Sequence, residues 1–274
     1  MKAKSLVCKD NRVSTQIIVQ IINQYLQQRP SLYSLIRPQE SYLFYHYREY
    51  IREPILDFGH GDGFFASLLS NLIKKKYEIG LDLTESQIDQ AKKYQLCRKL
   101  MKYDGRQIRI LDQSFNSIIS NCVFEHLEDL DFSLNELRRL LKPNGYLLTT
   151  VMSKVWEDTL LGNKVLGQSY QRFLRKKQVH YNLLSSNEWQ NRFEKAGFKV
   201  LVVTGYLPVW LAHWLEFSHY TSVGNLVCYK LFKHWALPFP WYSPLDRFLA
   251  LAINKALFCK PKSSAALFYL LQRK

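Results

Sequence analysis

No stretch of this chain stays apolar long enough to cross a membrane as a helix. The longest candidates, Val200 to Phe217 and Phe248 to Phe258, are broken by Gly205, Pro208, His213 and Glu216 in the first and by Asn254 and Lys255 in the second. Neither supplies the about 20 uninterrupted apolar residues a span needs. Behind Lys2 and Lys4 there is no continuous apolar segment, so no secretory signal is expected. Cysteine is sparse as well. The five (Cys8, Cys97, Cys122, Cys228, Cys259) are odd in number, scattered and without a CxxC pair. That spacing argues against a disulfide framework or a zinc centre; no metal is expected, and a reducing cytoplasm is the natural compartment.

Acidic residues also run short, with 23 Asp and Glu against 38 Lys and Arg, a net charge of +15. The deficit is concentrated in residues 151–274, where 17 cations face six carboxylates, a net of +11. All six tryptophans lie in that part too: Trp156, Trp189, Trp210, Trp214, Trp235 and Trp241. A basic, Trp-rich half suits an anionic partner, either membrane headgroups or nucleic acid. Solvated lysines and ordinary core aromatics explain the same composition, and both readings stay open. With 47% hydrophobic and 22% charged residues the chain is globular and long enough to bury one sizeable core.

The residues that are present show an alternating pattern. Ser14 opens a helix whose apolar positions Ile17, Ile18, Ile21, Ile22 and Tyr25 follow helical spacing, and Pro30 ends it. A Tyr-rich helical stretch runs from about Ser41 to Ile51. Strands are expected near 54–58, 77–82, 99–104, 115–121 and 145–152, separated mostly by helices. Only ten residues separate Asp104 from Phe115, so that connection has no room for a full helix. After Met152 the pattern breaks, and residues 153–184 carry the basic run Arg172, Arg175, Lys176 and Lys177. Ser185 and Glu188 form a capping box that opens a helix stopping at Gly197. Phe198 to Leu207 and Ala265 to Leu271 read as two further strands.

The most informative segment is Leu56-Asp57-Phe58-Gly59-His60-Gly61-Asp62-Gly63, a GxGxG turn directly behind a short apolar strand. Glycine suits such a turn because a Cβ would hold a ligand off the backbone. A dinucleotide fingerprint is GxGxxG. Here the third glycine falls one residue early and a carboxylate sits at the strand end, where it would repel a phosphate and attract an ammonium group. The turn resembles motif I of the class I S-adenosylmethionine-dependent methyltransferases, of the type 11 kind. Similar correspondences follow in order: Asp82 after Tyr77 to Leu81, Tyr103-Asp104-Gly105, Leu111 to Asn116, Asn121 to His126, and Leu137 to Leu148. His60, between the first two glycines, and Asn116 depart from the family's usual residues. No proline follows Asn121, so the N-P-P-Y signature of amino methyltransferases is absent.

The resemblance implies a Rossmann-like, doubly wound α/β fold with a seven-stranded sheet and an antiparallel last strand. On it the chain divides into a helical N-terminal cap (1–52), a cofactor-binding core (53–207), an apolar, aromatic-rich helical insertion (208–262) and a final core strand (263–274). The insertion reads either as a lid over the substrate or as a membrane-interfacial element. The implied cofactor is S-adenosyl-L-methionine. Asp57 is expected at its methionine ammonium, Gly59, Gly61 and Gly63 along its backbone approach, Asp82 at the ribose hydroxyls and Leu83 on the adenine. Asp104, beside Gly105, is expected at the adenine amine, and Asn121 is expected to offer its backbone carbonyl. His60 and Asp62 are expected to tune the turn. Thr84 and Gln87 are expected to form a capping box for the next helix.

Methyl transfer from a sulfonium is an in-line displacement that needs no metal and no covalent intermediate. A hydroxyl acceptor gains from a general base, and His126 is the first candidate, with His180 and Tyr181 facing it from another segment. The implied activity is transfer to a small or lipid-linked acceptor, at oxygen. RNA methylation and a non-catalytic binding protein that kept the fold are the alternatives. The expected location is cytoplasmic, with peripheral attachment to the inner face of a membrane left open; the oligomeric state is not set by the sequence.

Overall fold

The computed structural model describes residues 14–221, 227, 229–231 and 242–274. Cys8, Cys228, Lys2, Lys4, Leu226, Phe232, Trp235, Pro238, Pro240 and Trp241 lie outside them. Seven strands form one sheet: β1 (Ile55–Phe58), β2 (Tyr77–Leu83), β3 (Cys97–Tyr103), β4 (Phe115–Asn121), β5 (Leu141–Met152), β6 (Phe198–Gly205) and β7 (Ala266–Arg273). Their spatial order is β3-β2-β1-β4-β5-β7-β6. The first five are parallel, and β7 runs antiparallel between β5 and β6. The doubly wound sheet with its antiparallel last strand is thus as expected.

Strict alternation along the central strands explains why the sheet is buried on both faces. In β4, Ile119 packs into one core and Ile118 into the other. In β7, Phe268 and Leu270 face the first core while Leu267, Tyr269 and Leu271 face the second. The first core is covered by α1 (Thr15–Gln28), α2 (Arg37–His46) and α3 (Phe64–Ile73), and by α8 (Val209–Thr221) and α9 (Tyr242–Ala256). The second is covered by α4 (Leu130–Leu140) and α7 (Ser186–Lys195), through Leu134, Leu137, Trp189 and Phe193.

Local signals mostly act as anticipated. The Ser185 hydroxyl accepts from the Glu188 N–H while the Glu188 carboxylate accepts from the Ser185 N–H, the reciprocal box that starts α7. Between β3 and β4 no helix forms.

Two local expectations are corrected. The Tyr-rich helix starts at Arg37, with Pro38 in its first turn, and breaks at Tyr47 before a 3-10 turn at Arg48–Tyr50. Thr84 does not cap a helix: its N–H and hydroxyl both donate to the Tyr103 carbonyl, tying the end of β2 to β3. The next helix is a 3-10 segment, Ile88–Tyr94. Residues 153–184, where the expected pattern breaks, hold α5 (Lys154–Thr159) and α6 (Leu161–Lys177), the latter kinked at Gly167 where φ is +62°.

Candidate active site

Strand order reverses between β1 and β4, and a crevice opens beyond their carboxyl ends, the usual place for a ligand in such a sheet. The glycine turn sits there. Gly59 and His60 both donate their N–H groups to the Leu81 carbonyl at 2.8 and 3.1 Å, folding the turn back onto β2. Gly59 has φ +81°, and a Cβ on it would come within 2.2 Å of the Val123 side chain. Gly61, at φ +57°, has open space where its Cβ would be. Gly63 caps α3 and packs against Ala91, so it shapes the turn from behind.

A cavity of about 420 Å³ lies over this turn, lined by Asp57, Gly59, His60, Gly61, Asp62 and Asn121 from the sheet side. Tyr25, Arg29, Tyr33 and Arg37 from α1, α2 and the link between them close the opposite wall. Asp82 stands beside it, its carboxylate accepting from the Gly61 N–H at 2.5 Å and the Leu83 N–H at 2.7 Å. Burial raises the Asp82 carboxyl above its ordinary range, against the pull of those two N–H groups. Leu83, Asp104, Gly105 and His126 line a neighbouring cavity of about 670 Å³. The Asp104 carboxylate is held low by the Arg106 and Gln107 N–H groups it accepts from. The expected cofactor residues therefore divide between two adjoining hollows, with Asp82 at the divide.

His60 is more than a filler of the turn. Its side chain is buried, and Nδ1 lies 2.7 Å from an Asp57 carboxylate oxygen. Burial works against a charged imidazole, but hydrogen bonding to Asp57 and then to Cys97 outweighs it and lifts the pKa to about 10. At neutral pH Asp57 therefore already faces an imidazolium. Gly80 makes room for this pair, since a Cβ there would meet the His60 ring at 2.9 Å.

A third cavity, of about 310 Å³, shares Tyr33 and Arg37 with the first and His126 with the second. Ile36, Met152, Trp156 and Leu215 give it apolar walls, and Glu125 and His180 a polar end. Burial raises the Glu125 carboxyl and lowers His180 to about 4, with the His126 and Arg175 charges adding to the second shift. Both groups are pushed toward their uncharged forms. The exposed His126 ring lies 5.0 Å from the His180 ring, and its Nδ1 is 3.1 Å from the Val179 carbonyl. Tyr181 instead donates to Glu128 at the surface.

Sequence reasoning missed the buried carboxylate that holds Arg37, a residue lining both the first and the third cavity. Glu40, fully buried in α2, accepts from Arg37 at 2.7 Å, Asn121 Nδ2 at 2.8 Å, the Tyr206 hydroxyl at 3.2 Å and the Cys122 thiol at 3.3 Å. Asn121 thus spends its side chain on Glu40 and on Thr150, whose hydroxyl donates to its Oδ1 at 2.7 Å. The only sequence signal was a charged pair at i, i+3 in an otherwise aromatic helix. Among the described residues no cluster of metal-ligating side chains occurs.

Comparison with known proteins agrees with this architecture. Residues 56–149 match the family described as "Methyltransferase domain". The malonyl-[acyl-carrier protein] O-methyltransferase of Bacillus anthracis is 32% identical over 126 residues, 46% of this chain and 45% of that protein. The protein of the same name in Legionella pneumophila is 32% identical over 101 residues, 36% of each chain. The alignments thus span less than half the length of these two curated relatives. A solved SAM-dependent methyltransferase of Thermotoga maritima superimposes with a TM-score of 0.54 at 18% identity, covering 95% of this chain and 100% of that one, which shows a shared fold.

Proposed function

We infer that this chain, which belongs to the class I S-adenosylmethionine-dependent methyltransferase family, moves the methyl group of that cofactor to an oxygen of a small or lipid-linked acceptor. The observation that carries the reading is that Asp57, from the end of β1, lines the cavity over the glycine turn together with Gly61, whose N–H donates to the Asp82 carboxylate at the end of β2. A sulfonium nucleoside has one group for each: an ammonium for the free oxygen of Asp57 and ribose hydroxyls for Asp82. Asp104 and Leu83 in the adjoining hollow take the adenine, with Gly105 leaving that wall low. Asn121 offers its backbone carbonyl near the methionine portion. Arg37, fixed by Glu40, stands where the methionine carboxylate would need a cation.

The third cavity is the place for the acceptor, because it opens at Arg37 and Tyr33 beside the methionine end. Its walls are apolar and its acid and imidazole are pushed toward neutrality, which favours an acceptor of low polarity. When bound, the cofactor supplies an electrophilic methyl carbon. The chain's own share is to hold the acceptor oxygen in line and to exclude water. His126 uses Nδ1–H on the Val179 carbonyl, leaving the Nε2 lone pair to take a hydroxyl proton. The malonyl-acyl-carrier relatives support oxygen as the acceptor atom.

Incubating metabolite and lipid extracts with methyl-labelled S-adenosylmethionine tests the reading. Base-labile or ether-linked label in a small-molecule or lipid fraction is expected. Label confined to RNA, or cofactor binding with no transfer to any fraction, overturns it.

A further inference from the structure

Large apolar side chains are exposed very unevenly over this molecule. Of sixteen that stand out among the described residues, thirteen lie between Leu161 and Leu251, and only Tyr33, Leu83 and Leu111 lie elsewhere. On α8 they form a stripe at i, i+4 and i+7: Trp210, Trp214 and Phe217, the last two 61% and 58% exposed. The opposite side of the same helix buries Leu211, Ala212 and Leu215. On α9, Phe248 is 68% exposed beside Leu251, and on α6 Phe173 projects next to Arg172.

The carboxylates of these three helices point the other way. Glu216 of α8 is buried and accepts from the Leu161 and Gly162 N–H groups at 2.6 and 2.9 Å, and from the Tyr170 hydroxyl. Asp246 of α9 is buried against Asn23 of α1. No other Asp or Glu occurs in α6, α8 or α9. Their outward faces hold cations instead, with Arg172, Lys176 and Lys177 on α6 and Arg247 and Lys255 on α9 all exposed. The elements adjoin: Glu216 ties α6 to α8, and α8 and α9 both rest on the turn Ser31–Leu35.

We propose that α6, α8 and α9 present a docking surface for an anionic lipid bilayer, with Trp210, Trp214 and Phe217 entering the headgroup region and the cations pairing with lipid phosphates. Tryptophan suits that depth because its ring is apolar with a polar edge. Arg175 of α6 is spent on the Glu157 carboxylate of α5, whereas Arg172, Lys176 and Lys177 gain from the negative surface potential. Attachment is peripheral, since no helix among the described residues is long and apolar enough to span. Leu215, on the inner side of α8, lines the third cavity, so a docked molecule holds that cavity near the lipid surface. The proposal stands on exposure and charge, and holds whether or not methyl is transferred.

Vesicle flotation of the full chain tests it, using phosphatidylcholine alone and phosphatidylcholine mixed in equal parts with phosphatidylglycerol. Binding to the mixed vesicles that falls with added salt, and far weaker binding to phosphatidylcholine, is expected. Trp210→Ser with Trp214→Ser and Phe217→Ser is expected to weaken it at least about tenfold. Lys176→Glu with Lys177→Glu is expected to weaken it about twentyfold. Circular dichroism and a melting curve confirm that each variant folds. Because these side chains are exposed, single substitutions serve if a combined variant does not fold. Equal binding to both vesicle types, undiminished binding by the aromatic variant, or capture of single-stranded RNA with no capture of vesicles overturns the proposal.

Discussion

The His60 imidazole reaches out of the glycine turn to bond the Asp57 carboxylate at 2.7 Å, so the acidic end of β1 is already paired before any ligand arrives. The pKa of His60 is raised to about 10, above the ordinary histidine value of 6.5. The stability this pair contributes is therefore fully present below 6.5 and lost as pH rises through about 10. Wild-type melting temperature is expected to fall across that window. His60→Ala leaves a buried carboxylate without its partner, at a cost of about 3 kcal/mol near neutral pH, and should flatten the decline. Differential scanning calorimetry from pH 6 to pH 10 measures both.

Glu40 has four donors and no solvent, so its removal should be felt twice. Glu40→Ala is expected to destabilise the fold by about 3 kcal/mol and to loosen Arg37. Glu40→Gln, which keeps an acceptor but leaves the Arg37 guanidinium unpaired, should lose less. Urea denaturation gives the first quantity; cofactor titration of the folded variants gives the second, with a loss of about tenfold expected for Arg37→Met.

At Gly59 space and backbone conformation both forbid a side chain, whereas at Gly61 only the conformation does. Gly59→Ala should cost about 3 kcal/mol, and Val123→Ala in the same chain should recover part of it, because the clashing atoms are then gone. Gly61→Ala should cost about 1 kcal/mol of stability, yet weaken cofactor binding disproportionately. Comparing the melting and binding losses of the two variants separates packing from ligand approach.

His126→Gln should lower kcat, measured at saturating cofactor and acceptor, by about a hundredfold. A variant that keeps the wild-type kcat identifies another base.

The sheet was legible because β1 opens on Ile55 and Leu56 and β7 is mostly apolar, although β4 mixes its isoleucines with Asn116, Ser117, Ser120 and Asn121, and because the spacing between Asp104 and Phe115 forbade a helix. The start of α7 was legible in a single reciprocal pair, Ser185 and Glu188. α5 and α6 were not: α5 is only six residues long, and Gly162 and Gly167 interrupt α6, which kinks at Gly167. Thr84 and Gln87 had the spacing of a cap, but a parallel strand offered Thr84 a better carbonyl, at Tyr103. Within the site, Asp57 and Asp82 could be read from strand ends. Glu40 could not, since its partners Asn121 and Tyr206 lie 81 and 166 residues away and no local pattern marks a contact of that range.

Isothermal titration of the folded chain with S-adenosylmethionine, repeated with Asp82→Asn and Asp57→Asn, bears most directly on the account. Micromolar binding that weakens about tenfold or more in each variant is predicted, by loss of a charge-assisted contact in a partly buried cleft. Absence of binding by the folded wild-type chain, or equal binding by all three proteins, contradicts it.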